Sequence, residues 1–76
     1  MAIRLPVGEI IREWREQRGL TQVGLAEASG LSSQYISRLE IGRNPSLETL
    51  AAIAEVLDCK VSELIAAAEE RASQRE

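Results

Sequence analysis

The chain is 76 residues long with one Cys, which allows one domain and excludes an intrachain disulfide. It has no His, and no apolar run reaches the length of a membrane span. The net charge of −3 argues mildly against nucleic-acid binding by its total, but its distribution matters more. Residues 1–44 carry six Arg (Arg4, Arg12, Arg15, Arg18, Arg38, Arg43) against five Glu, a balance of +1, and residues 45–76 a balance of −4. Met1 precedes no signal-like apolar core, so the expected setting is a reducing cytoplasm. A domain this small buries a modest fraction of its surface and needs close helix packing or a partner chain.

In chain order, Met1 to Leu5 form a short arm whose one charge, Arg4, either touches DNA or frays. Pro6 suits a first helical turn, which needs no N–H, and the first helix is expected to run to about Arg18. Val7, Ile11 and Trp14 form its inward stripe, with Ile10 at the edge. Trp14 shares that stripe and so reads as core rather than as a base-stacking ring. Glu9, Arg12, Glu13, Glu16 and Arg18 make a solvated face. Gly19 ends the helix.

The stretch Leu20 to Glu40 reads as two short helices around a tight turn. Thr21 caps the first of them, about Gln22 to Ser29, through its hydroxyl. Leu25 and Ala26 face inward. Gly30 supplies the positive φ that a chain leaving a helix often needs. Ser32 caps the next helix, about Ser33 to Ile41. Leu31, Ile36 and Leu39 give this helix an apolar face, and Ser33, Gln34, Ser37 and Arg38 share the other side. An Arg, a Gln and two Ser with no acid among them suit base edges in a major groove. Gly42-Arg43-Asn44 then form a loop closed by Pro45. Ser46 caps a fourth helix, about Leu47 to Leu57, striped by Leu47, Leu50, Ile53, Ala54 and Leu57. A fifth begins near Val61, with Val61, Leu64, Ile65 and Ala68 at helical spacing. These two helices close the core behind the reading pair. The remaining apolar surface of the fifth helix, read on those four residues, is the candidate dimer contact. The domain is expected over 1–68, with 69–76 a polar tail or the fraying end of the fifth helix.

The ordered set Gln22, Leu25, Ala26, Gly30, Leu31, Ile36 and Leu39 resembles the helix-turn-helix of the Cro and phage-repressor family, also called the Xre family. Arg15 and Gly19-Leu20 before it, and Asn44 to Leu50 after it, agree. The resemblance covers about Val7 to Ile65. It implies an all-α, five-helix, lambda-repressor-like domain with its helix-turn-helix at the second and third helices. It also implies a structural ion pair between Arg15 and Glu40, tying the first helix to the third. It places Tyr35 either beside the DNA backbone or in a half-buried packing role, and Arg43 on a phosphate. The sequence departs from the family pattern at four positions. Gly24 stands where a Glu would complete a capping box, and Ser29 replaces an apolar residue. Asp58 replaces a Gly at a left-handed turn, and Cys59 occupies a small apolar core position. Gly24 reads either as a weak point of the second helix or as a site of close approach by a partner or DNA.

Function follows as sequence-specific binding of double-stranded DNA by a homodimer on a near-palindromic operator, in a transcriptional regulator of repressor type. Gln34 and Arg38, with Ser33 and Ser37, are the candidate base contacts. Gln22, Ser32, Tyr35 and Arg43 are the candidate phosphate contacts. The alternative is an antitoxin or phage-regulatory module that uses the same fold to bind a second small protein through the acidic second half. No metal-ligand cluster, phosphate loop or paired nucleophile and base points to an enzyme, and no cofactor is expected.

Overall fold

The computed structural model describes residues 5–75, so the expectation for Arg4 lies outside the described residues. Five helices follow in order: α1 Val7–Gln17, α2 Gln22–Ser29, α3 Ser33–Glu40, α4 Leu47–Val56 and α5 Val61–Gln74. α1 packs on α3 and α5, α2 on α3 and α4, and α4 on α5.

Local chemistry starts the middle helices. The hydroxyl of Thr21 accepts the Gly24 N–H at 2.9 Å, that of Ser32 accepts the Tyr35 N–H at 3.1 Å, and that of Ser46 accepts the Thr49 N–H at 3.1 Å. Each satisfies a donor that the helix itself leaves open. α5 opens differently: the Glu63 carboxylate accepts the Lys60 N–H at 2.8 Å. Only this half of a capping box can form, because a lysine ammonium accepts nothing. Gly30 at φ 75° lets α2 turn into α3, with the Leu31 N–H closing on the Ala26 carbonyl at 3.0 Å. Asp58 makes the equivalent turn after α4 at φ 56°, a conformation costing a non-glycine residue about 1–2 kcal/mol.

The core joins all five helices. Ile11, Leu25, Ile36, Leu39, Ile53, Leu57, Leu64 and Ala68 are fully enclosed. Several expectations need correction. Ile10 is buried in the core, whereas Trp14 is only partly buried against it. The Arg18 guanidinium lies 5.6 Å over the Trp14 ring and donates to the Leu57 carbonyl at 2.6 Å, so Arg18, exposed as expected, also bridges to the end of α4. Leu47 is 75% exposed: at the first position of α4 its side chain points away from the stripe behind it. Leu64 and Ala68 are closed off within the monomer, which removes both from the expected dimer contact and leaves Val61 and Ile65, partly buried. α5 also continues unbroken past Glu69 and is tied down there. Arg71 grips Glu13, and Arg75 donates to Glu9 at 2.8 Å, so each i,i+4 pair meets its complement across α1 and α5. The charges read as one solvated face of α1 are partly this contact.

One close approach left no mark in the sequence pattern. At Gly8 a Cβ would lie 1.9 Å from the Leu39 carbonyl oxygen and 3.1 Å from the Glu40 Cα. The backbones of α1 and α3 therefore touch there, and only glycine fits.

Candidate nucleic-acid interface

α3 is seated by Ile36 and Leu39, both at 0% exposure, with the partly buried Leu31 just before it. Its opposite side carries the residues expected to read bases. Gln34 and Arg38 are exposed, and Ser33 and Ser37, one step round the helix, are half-buried. Arg38 enters no ion pair among the described residues, so its charge is uncommitted. The four side chains thus occupy one accessible strip of a helix whose width matches a major groove.

Around the strip stand the groups expected to meet phosphates. Ser32 is exposed, and while its oxygen caps α3 its hydroxyl hydrogen remains to be donated. Tyr35 packs partly against the core, and its hydroxyl lies 3.4 Å from that of Thr49. The Arg43 guanidinium sits 5.5 Å over the Tyr35 ring, which steadies an otherwise exposed cation beside α3. Gln22 opens α2, half-buried, with its Nε2 donating to the Glu40 carboxylate at 3.0 Å.

Glu40 and Arg15 anchor this assembly. Arg15 Nε donates to Glu40 Oε2 at 2.7 Å and Nη2 to Oε1 at 3.0 Å, a two-pronged pair between α1 and the end of α3. Nη1 donates to the Leu20 carbonyl at 2.6 Å, so the same guanidinium also holds the approach to α2. The side chains are 8% and 2% exposed. The Glu40 carboxylate holds the Arg15 pKa above its ordinary value. At such burial the pair positions α3 against α1 and is shielded from salt. The Glu40–Gln22 bond was not anticipated. Its one signal in the sequence was the Gln at the first position of the second helix.

The rest of the molecule offers little chemistry. Cys59 is half-buried, and burial pushes its thiol pKa up, away from the reactive thiolate. Among the described residues no group of three or more His, Cys, Asp or Glu could hold a metal, and no helix is long and apolar enough to cross a membrane.

Comparison with known proteins bears on the family and the fold. The helix-turn-helix family profile matches residues 11–64. The immunity repressor protein of Bacillus phage phi105 is 45% identical over 62 residues, covering 80% of this chain and 43% of that protein. The clp gene regulator ClgR of Corynebacterium glutamicum superposes with a TM-score of 0.89 at 32% identity, covering 99% of this chain and 81% of that one. SinR, a master regulator for biofilm formation solved in complex with DNA, superposes with a TM-score of 0.72 at 33% identity, covering 76% and 95%. SinR has also been solved in complex with the SinI protein. The chain spans about half the length of several curated relatives it matches.

Proposed function

The chain belongs to the helix-turn-helix family of Cro and phage-repressor type, and we propose that it binds duplex DNA sequence-specifically as a transcriptional regulator. The observation that carries this reading is the accessible strip of α3, with Gln34 and Arg38 outward and Ile36 and Leu39 beneath. Gln34 matches the N6 and N7 edge of adenine, and Arg38 the O6 and N7 edge of guanine. Ser33 and Ser37 are short enough to let the helix approach closely. Gln22, Ser32, Tyr35 and Arg43 set its register on the backbone without reading sequence.

One such helix covers only a few base pairs. A homodimer on a near-palindrome supplies the missing specificity, with half-sites about 34 Å apart. Val61 and Ile65 are the α5 residues left to contribute to its contact. Repression follows by occupying promoter DNA; the name of the phage relative supports that direction. The SinR–SinI complex supports a second reading, in which this chain also has a protein partner.

Selection of binding sites from random duplexes tests the proposal. Arg38→Ala and Gln34→Ala should each relax preference at one distinct base position and cost about 1–3 kcal/mol on the preferred site. Wild-type protein that enriches no sequence would refute it.

A further inference from the structure

We propose that Glu40 is a positioning residue for DNA binding: its carboxylate, held by Arg15, aims the Gln22 side-chain amide at the phosphate backbone. The inference rests on the reading of α2 and α3 as the DNA-binding pair. It starts from an asymmetry in hydrogen-bond chemistry. An ionised carboxylate only accepts, so the Gln22 atom facing Glu40 Oε1 at 3.0 Å must be the nitrogen. A free carboxamide presents oxygen or nitrogen with little preference, and Glu40 removes that choice. A phosphate is likewise only an acceptor. With one Nε2 hydrogen committed to Glu40, the second remains on the same nitrogen for a phosphate oxygen, whereas the flipped amide would turn its carbonyl towards the anion.

Burial and charge complete the device. A carboxylate beside a polyanion would ordinarily repel it. Here Arg15 donates to both Glu40 oxygens, and the Glu40 side chain is 2% exposed, so the surface met by DNA is a neutral amide. Gln22 opens α2, where backbone N–H groups lacking helical partners also favour an anion. Holding the amide in the free protein removes the ordering cost of a long flexible side chain from the binding step. Arg15, Glu40 and Gln22 thus run from the interior of α1 to the DNA-facing end of α2.

A double-mutant cycle on the Kd for the selected duplex tests this. The four proteins are wild type, Gln22→Ala, the joint variant Arg15→Met with Glu40→Leu, and all three changes together. The joint variant leaves no buried charge unpaired, which is the condition for keeping the fold, and thermal melts set a temperature at which all four are folded. Gln22→Ala and the joint variant should each weaken binding by about threefold to tenfold, and the triple variant no further than Gln22→Ala. Effects that multiply, or an unchanged Kd in the joint variant, would overturn the proposal. NMR of the unmodified protein gives a readout that needs no variant. One Gln22 Nε2 proton should exchange with water more slowly than those of the exposed Gln34, and equal exchange would overturn the proposal. Wild-type protein that selects no duplex at all would instead sink the DNA-binding reading itself.

Discussion

Replacing Gly8 by Ala sets two physical effects of opposite sign against each other. Gly8 lies inside α1, and helix propensity alone makes Ala more stable there by about 1 kcal/mol. The packing says the reverse, because the added Cβ would sit 1.9 Å from the Leu39 carbonyl oxygen. An ordinary carbon–oxygen contact needs about 3.3 Å, so α1 and α3 must separate locally by about 1.4 Å. Both sides of the contact are backbone, and no side-chain rotation relieves it. Overpacking of this kind costs about 1–3 kcal/mol, occasionally more. The same separation stretches the Arg15–Glu40 bonds, now 2.7 and 3.0 Å, towards the limit of hydrogen bonding. With about 2 kcal/mol for overpacking, about 2 kcal/mol for the stretched pair and about 1 kcal/mol of propensity gain subtracted, the expected net loss is about 3 kcal/mol. For a domain of this size that is a fall in Tm of about 12–24 °C. Circular dichroism melts, with urea midpoints at constant m, provide the assay. A Tm that is unchanged or raised would show that the α1–α3 approach is not a hard contact.

Arg15→Ala should lose about 3–5 kcal/mol in urea unfolding, because it strands the Glu40 carboxylate in the interior. Arg12→Ala is the matched comparison, since Arg12 is 62% exposed and its pair with Glu16 is worth at most about 1 kcal/mol; equal losses would mean that the Arg15 pair is loose. Arg18→Ala is a poorer control, because Arg18 also holds the Leu57 carbonyl. Gly24→Glu should raise Tm, by removing a helical glycine and completing a capping box with Thr21, for a gain of about 1 kcal/mol. The new Cβ meets only the Thr21 hydroxyl at 3.2 Å and a Leu20 methyl at 3.7 Å, and a lower Tm would mean that the hydroxyl cannot give way. Glu13→Gln tests the α1–α5 latch through pH. The bond from Arg71 holds the Glu13 pKa below 4.5, so its stabilisation is present above that pH and lost as pH falls through the depressed folded value. The variant should melt slightly lower at neutral pH and together with wild type in strong acid. The gap is small because the Glu13 side chain is 43% exposed, and a gap that persists in acid would assign the effect to packing.

What could be read before folding, and what could not, divides by the range of the interaction. Thr21, Ser32 and Ser46 were legible as caps because each bonds an N–H three residues on, a distance the chain sets by itself. The outward placement of Gln34 and Arg38 was legible for the same reason, since the helical period alone separates them from Ile36 and Leu39. Gly8 drew no reading from the sequence, because nothing local marks a backbone that another helix will touch. Glu9 and Glu13 looked solvated because the partners Arg75 and Arg71 lie on another helix, 66 and 58 residues away. On α5 the period grouped Val61, Leu64, Ile65 and Ala68 correctly as one stripe, but which part of it another helix covers is decided by tertiary packing. Glu40 lies between these cases. Its pairing with Arg15, 25 residues away, was available only through the family resemblance, and its second bond, to Gln22, had no signal beyond the Gln at the first position of the second helix. The ion pair that holds α3 in place therefore shares a carboxylate with Gln22, the residue proposed to meet a phosphate. That sharing favours Glu over Gln at position 40, because only a carboxylate can accept from Arg15 with both oxygens and still force the Gln22 nitrogen to face it.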